Sequence, residues 1–507
     1  MPPSTDNLRF ILGLKLRRLR REKGWSLREV ADASGLSVSY LSEIEKGKKY
    51  PKPDKLIRLA SAFGISYDDL VSLDVTDELG PLKEVFSSTF IQEFPFSVFG
   101  LEPQDLFGLV SDQPSRAAAL IRTFLEIGRT YDMQVEHFLF AALRSYQQLH
   151  GNYFADLEDR ARSFRHANGW TGGEPPSRDA LRDLLIHSYN YTLDFTSLPG
   201  HPDLGDLRSV YVSGSSPTLA VNGDLMDIQQ AFLFAREIGY CELDVDERAR
   251  TSSWLEVESY DQVLNNFRAS YFAGAVIMER DALLDDLRAF FDQPHWDPAP
   301  LRAMMNRIQA TPEMLFYRLT ELVPHTFGLD DFFFLRFHHT VGSEDVELTK
   351  ILNMSQVAVP HGIGLQEHYC RRWPALRLLR DMAQRQTGPA LPTNGAADAD
   401  IHAQRSAYAE DDVEFFVLSS ARPLALQSRT NSCVSIGFLL NEAFRDTVRF
   451  WADDAVPRVR VGLTCERCPL PSETCGERVA PPSALEMRRT QSRKQTALAD
   501  LTRSLRT

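Results

Sequence analysis

The sequence predicts a multidomain protein: an all-α unit at the N-terminus, a helical linker, and two α+β domains behind it. Three observations carry that reading. The chain has 507 residues, whereas one hydrophobic core stops growing at roughly 250–300 residues. Hydrophobic residues make up 43%, aromatics 10% and charged residues 25%, which excludes a wholly disordered or collagen-like chain. Apolar residues recur at helical spacing in the first 70 positions and give way to β-forming aromatic runs after Thr311.

Charge is uneven. The chain carries a net −13, yet residues 1–73 hold 14 Lys and Arg against 9 Asp and Glu, so the first segment is +5 and the remainder −18. An acidic body repels a polyanion, which leaves the first 73 residues as the place where phosphate attraction can win. No stretch reaches the ~18 uncharged apolar residues that span a bilayer, and MPPSTDNLRF lacks the apolar core of a signal peptide. The expectation is a cytoplasmic protein with no membrane partner. Six cysteines are too few for a disulfide framework in a chain of this length, and clustering among them in that compartment favours metal.

The elements follow in order. Asn7 to Lys23 sets Leu8, Ile11, Leu12, Leu16 and Leu19 at helical spacing with Arg17, Arg18, Arg20 and Arg21 around them, and Gly24 closes the helix. Ser26 with Glu29 is a capping box opening a helix from Leu27 to Ala33. After Gly35, a helix from Ser37 to Lys46 places Val38, Leu41 and Ile44 in a buried stripe and leaves Ser37, Ser39, Tyr40, Ser42 and Glu43 on the other face. That is the pattern of a recognition helix. Lys52 to Phe63 and Tyr67 to Leu73 complete a five-helix unit, residues 1–75. It resembles the Xre/Cro-like helix-turn-helix family through Leu27, Ala31, Gly35, the run Ser39 to Glu45 and Gly47. The resemblance implies that the helix beginning at Ser37 enters the major groove of double-stranded operator DNA, while Arg28, Lys46, Lys48 and Lys49 meet phosphates.

Ser115 to Phe164 reads as almost continuous helix, within a connector or dimerisation region at 76–168, and Gly169 to Pro176 breaks it. In a domain at 177–310, Asp227 to Leu243 has the shape of a zincin helix without its chemistry. A metallopeptidase needs His-Glu-x-x-His, two imidazoles on zinc and a Glu as general base. Here the positions read Arg236-Glu237-Ile238-Gly239-Tyr240. The segment resembles the ImmA/IrrE metallopeptidase-like domain, and the resemblance continues over Asn266 to Met278, where Asn266 stands at the third ligand position. With all three ligands missing, the expectation is no catalysis; a hydrolase or peptidase is the alternative.

A third domain, 311–482, reads as an α+β sensor with a central antiparallel sheet: a helix from Pro312 to Leu322, strands at Phe332 to Phe337, Val413 to Leu418, Ser432 to Leu440 and Arg458 to Leu463, and a mobile loop from Gln384 to Gln404. Cys465, Cys468 and Cys475 lie in a C-x2-C-x6-C spacing stiffened by Pro469 and Pro471. Three local thiolates want a fourth ligand for zinc or an iron–sulfur cluster. Cys370 is the first candidate, with His368 and His361 as alternatives, whereas Cys433 and Cys241 read as packing residues. Arg371, Arg372, Arg467 and Arg478 would favour thiolates. A basic tail, 483–507, ends the chain.

Nearly the whole chain resembles the short-chain fatty acyl transcriptional regulator family, through Tyr146 to Phe154, Ser270 to Gly274, Tyr317 to Thr320, Glu367 to Trp373, Thr464 to Cys468 and Cys475 to Pro482. The resemblance implies a helix-turn-helix head, a degenerate zincin-like α+β domain and a C-terminal α+β, GAF-like sensor domain. It further implies a bacterial regulator of short-chain fatty acid, propionate or glyoxylate metabolism with a short-chain acyl-CoA as effector; presenting two recognition helices to a pseudo-palindromic operator makes a homodimer the expectation. Relatives in the propionate pathway carry a [4Fe-4S] cluster, which the resemblance would place on Cys370, Cys465, Cys468 and Cys475. From spacing alone, zinc is equally good.

Overall fold

The computed structural model describes residues 5–45, 49–71, 135–245, 247–251, 257, 259–355, 357–360, 367–387, 400–410, 412–427 and 429–504. Lys46, Gly47, Lys48, His361 and most of the expected connector lie outside the described residues. The chain divides into two compact units, Met1–Ala142 and Leu143–Thr507.

Among the described residues up to Val71, the first unit forms α1 (Thr5–Glu22), α2 (Leu27–Ser34), α3 (Val38–Glu45), α4 (Pro53–Phe63) and α5 (Tyr67–Val71). Ser26 accepts the Glu29 amide at 3.3 Å while the Glu29 carboxylate accepts the Ser26 amide at 2.6 Å, so the expected capping box opens α2. Gly35, at φ +66, closes it in a conformation that favours glycine. Leu12, Leu16, Val30, Leu41, Ile44, Leu56, Leu59 and Phe63 form the core. A Cβ on Gly13 would lie 2.5 Å from the Ile44 carbonyl oxygen, so α1 and α3 meet backbone to backbone there. Val38 departs from expectation. It is 43% exposed, because α3 begins at that residue and only Leu41 and Ile44, one turn on, reach the core.

The second unit begins within α6 (Val135–Leu149), followed by α7 (Ala155–Ala167), α8 (Arg178–His187), the short strands β1 (Thr192–Asp194), β2 (Ser209–Val212) and β3 (Thr218–Val221), then α9 (Asp227–Glu242), α10 (Tyr260–Ile277), α11 (Arg280–Phe291), α12 (Ala299–Arg307) and α13 (Pro312–Phe327). The three strands pair in the order β1-β3-β2. The expected continuous helix through residue 164 is broken. Gly151 at φ +57 and Asn152 at φ +54 turn the chain between α6 and α7, and Asn152, fully buried, donates to the Thr320 hydroxyl at 2.9 Å. Gln147 donates to the Asn152 side chain at 2.8 Å and to the Tyr317 hydroxyl at 3.0 Å. Tyr271 donates to Glu158 at 2.7 Å, and Arg318 reaches Glu158 at 2.7 Å and Glu321 at 2.8 Å. The segments 146–154, 270–274 and 317–320, remote in sequence, thus meet in one buried polar knot.

Beyond them lie β4 (Phe332–Thr340), β5 (Val346–Asn353), α14 (Pro374–Thr387), β6 (Asp400–Tyr408), β7 (Glu414–Pro423), β8 (Thr430–Leu439), α15 (Glu442–Thr447), β9 (Arg458–Val461) and α16 (Ser483–Ser504). The sheet runs β5-β4-β8-β7-β6-β9. It is antiparallel apart from the β6–β9 pair. One face packs Phe332, Phe334, Phe416, Leu418, Ile436 and Phe438 into the larger core with α13. The other packs Phe333, Phe337, Phe415, Val417 and Cys433 against Trp373, Leu376 and Leu379. The central antiparallel sheet matches expectation, but β5 and β6 were not foreseen. Residues 400–404, expected in a mobile loop, form the start of β6, and Gln384 to Thr387 end α14. Ile401 and Ala403 alternate inward there, a period the Ala- and Asp-rich composition hides.

Candidate nucleic-acid interface and cysteine site

The outward side of α3 is a polar surface. Ser39 and Arg28 are exposed, and Ser42 and Glu43 are half-buried. Ser37 precedes the helix and accepts the Tyr40 amide at 3.2 Å, acting as its cap. Lys49 pairs with Glu43 at 2.8 Å, which raises the lysine pKa through that hydrogen bond. The ammonium groups of Lys55 and Lys49 stand 4.1 Å and 5.9 Å from the Tyr40 ring centroid. At the far end of α3, buried Glu45 takes two bonds from Arg20, at 2.7 and 2.9 Å. Sequence spacing missed Lys55 and the Arg20–Glu45 fork because both partnerships cross between helices. A polar helix face with Ser hydroxyls near its N-terminus and lysines beside it can meet base edges and phosphates.

In the second unit, residues 367–373 lie beside 462–468. Tyr369 bridges Thr464 antiparallel, the Cys465 amide donates to the His368 carbonyl at 2.8 Å, and the Cys370 amide donates to that of Leu463 at 3.2 Å. Cys370, Cys465, Cys468 and Cys475 are all buried, with 3, 4, 3 and 6% exposure, and all are free thiols. The Gly462 amide donates to Cys370 Sγ at 3.4 Å, and a Cβ on Gly462 would lie 3.0 Å from Cys468 Sγ. The two sulfurs therefore flank one glycine. Burial pushes the Cys370 thiol up to about 11, with Cys468 and Cys465 adding to the rise; burial also raises Cys468, with Cys475 and Cys465 contributing. Arg478 closes the loop, donating to the carbonyls of Cys465 (2.7 Å), Cys468 (3.2 Å) and Leu470 (2.6 Å).

The other expected cations turn elsewhere. Arg467 pairs with Glu367 at 2.7 Å, Arg372 donates to the Thr474 carbonyl at 3.0 Å, and Arg371 donates to the Glu344 carbonyl at 3.0 Å. His368 is engaged by Glu466 at 2.7 Å. As they stand, no three His, Cys, Asp or Glu side chains among the described residues are close enough to hold a metal ion. The donor chemistry does fit one: four buried cysteines, none in a disulfide, on two paired segments, with an amide already directed at sulfur.

The zincin-like helix α9 has no such fit. Glu237, 2% exposed, forms a close ion pair with Arg248 and a second, at 3.4 Å, with Arg236. The Arg248 guanidinium lies 3.5 Å from the Tyr211 ring centroid and 4.2 Å from that of Tyr240, and donates to the Tyr191 hydroxyl at 3.0 Å. Tyr240, pushed up to about 12 by burial, donates to Asn266 at 3.1 Å. A guanidinium thus supplies the positive charge beside Glu237. A zinc ion finds no imidazole or carboxylate ligand set, so no metal-dependent hydrolysis follows from these residues. Among the described residues, no helix is long and apolar enough to cross a membrane.

Two families match the chain: Helix-turn-helix over residues 16–70 and the IrrE N-terminal-like domain over residues 194–320. The chain is similar to the HTH-type transcriptional regulator RamB of Mycobacterium tuberculosis, 23% identical over 281 residues, which covers 53% of this chain and 57% of RamB. The match thus spans little more than half the length of that relative. An HTH-type transcriptional regulator of Sinorhizobium fredii, y4dJ, is 43% identical over 72 residues, 14% of this chain and 91% of its own. A solved Mycobacterium tuberculosis transcriptional regulator aligns over 68% of this chain and 94% of its own, with 18% identity and a TM-score of 0.44.

Proposed function

Because the chain belongs to the helix-turn-helix transcriptional regulators, we propose that it is a homodimeric regulator of bacterial short-chain fatty acid, propionate or glyoxylate metabolism, binding operator DNA through α3 under the control of a short-chain acyl-CoA. In this reading Cys370, Cys465, Cys468 and Cys475 hold a [4Fe-4S] cluster, which would supply sensitivity to redox state. The observation that carries the sensor half is the seating of four buried free thiols on two paired segments. The Gly462 amide is set to donate to a thiolate at Cys370, and the Arg478 clasp holds the loop carbonyls in place. Zinc is the second reading, favoured by the Cys465-x-x-Cys468 turn, a common zinc half-site.

Dimerisation would present two recognition helices about 34 Å apart to a pseudo-palindromic site. An effector must bind the DNA-competent and DNA-free states unequally. Titrating operator DNA with and without acyl-CoAs tests the sensing: no change in affinity with any of them removes that part of the proposal. Anaerobic purification with iron, sulfide and zinc analysis on the wild type and Cys468→Ser tests the site. About four iron and four sulfide per chain, lost in the variant, is the expected result; stoichiometric zinc in a colourless protein selects the second reading, and neither metal overturns both.

A further inference from the structure

The face of the large sheet that packs on α13 ends in a patch of positive charge that the DNA-binding and cysteine readings leave unused. Register places Lys350 on β5 beside Arg336 on β4, and in the same row Val434 on β8 and Ser420 on β7. Two residues along, Glu347, His338, Ser432 and Arg422 form the neighbouring row, with Glu347 exposed on the edge strand β5. Paired residues share a face, so all of these side chains belong to one surface. Arg208, just ahead of β2, and Glu313, in the first turn of α13, stand over that surface: Glu313 feels Arg336, Lys350, Arg208 and Arg422 together.

The charges do not balance. Glu313 bonds to Arg336 at 2.6 Å, and Lys350 lies against the Tyr317 ring, 3.5 Å from its centroid. Glu321, which also reaches Lys350, retains its proton up to about 8 under burial. Four cations therefore gather around the ionised Glu313. Burial disfavours the charged forms of Arg208, Arg422 and Lys350. Each is nevertheless half-buried rather than sealed. Two polar atoms on the same face, Ser420 Oγ and His338 Nε2, are buried without a hydrogen-bond partner. Concentrated positive charge and orphaned polar atoms over a floor of Ser432 and Val434 are the attributes of a site made for an anion.

We infer that Arg208, Arg336, Lys350 and Arg422 form a binding site for a phosphate-bearing ligand, either free phosphate or the phosphate end of a larger organic molecule. Guanidinium forks and an ammonium around a small floor suit a polyanion that accepts from several sides. The binding claim does not depend on the operator or the cysteine site; it rests on the acyl-CoA reading only if coenzyme A proves to be the ligand.

Thermal unfolding of the full chain at fixed ionic strength tests it, without DNA, in chloride, inorganic phosphate, pyrophosphate or coenzyme A. The expected result is a rise in Tm of about 2–4 °C with pyrophosphate or coenzyme A over chloride. Arg422→Gln should lose at least half of that rise and, with one repelling charge removed, melt no lower than the wild type in chloride; Lys350→Met should behave likewise. Arg449→Gln, which removes an exposed pair with Asp292, should keep the full rise. A rise with coenzyme A alone assigns the site to an organic phosphate, and equal rises with pyrophosphate and phosphate to the free anion. No rise with any of them, equal rises in all variants, or failure of both cluster variants to fold overturns the inference.

Discussion

Arg318 is 1% exposed and serves two carboxylates, Glu158 and Glu321, that are themselves buried. One guanidinium cannot neutralise two anions in a low dielectric, so the carboxyl groups divide. Burial raises Glu158, but the Arg318 charge and hydrogen bonds outweigh it and hold this carboxyl below its ordinary range. Burial wins at Glu321, which rises from 4.5 to about 8. A raised acid contributes stability that is complete below its unfolded pKa and is lost as pH climbs through the folded one. Glu321→Gln lacks that loss. Relative to the wild type, it should therefore gain stability between pH 5 and pH 8.5, read as diverging urea midpoints of the full chain; parallel midpoints would refute the assignment. Little of this was legible in the sequence. Tyr317-Arg318-Leu319-Thr320 stands out as a segment, yet its partners lie about 160 residues away at Glu158 and Asn152, and no local period connects them.

At the scale of the element, sequence and structure agree where a signal is local. The Ser26 capping box, the Gly35 turn and the inward Leu41 and Ile44 are consequences of spacings of three or four residues, which the chain displays directly. Removing the box in Ser26→Ala should lower the hydrogen-exchange protection of α2 amides by about 1 kcal/mol, and unchanged protection would show that tertiary packing alone holds the helix. The strands were legible where aromatics are dense, at β4, β7 and β8, and illegible at β6, whose alternation runs through small residues. The polar, Arg-flanked context of Cys370 was enough to nominate it, but no spacing ties it to the cysteine loop, because the pairing of Tyr369 with Thr464 is what brings it there. Gly437 was silent as well. A Cβ there would lie 2.3 Å from the Phe333 ring, so Gly437→Ala should destabilise the sheet by roughly 1–3 kcal/mol through overpacking, seen as a lower midpoint in denaturant.

For the whole molecule, charge is segregated between a basic head and an acidic remainder, so attraction to DNA is confined to few side chains. Each phosphate neutralised adds about 0.9 to the slope of log affinity against log salt. Arg28→Ala, at an exposed position beside the capping box, should flatten that slope by about that amount while weakening specific and random duplexes alike. An unchanged slope would place Arg28 away from the backbone of the duplex. Behind the head, residues 194–320 match the IrrE N-terminal-like domain but carry Arg236, Tyr240 and Asn266 at the positions where a zinc site would need ligands. Arg248, seated between Tyr211 and Tyr240 and paired with Glu237, already holds the place of a cation there: a histidine introduced at 236 or 240 leaves the guanidinium where it is, so no single substitution assembles a metal centre.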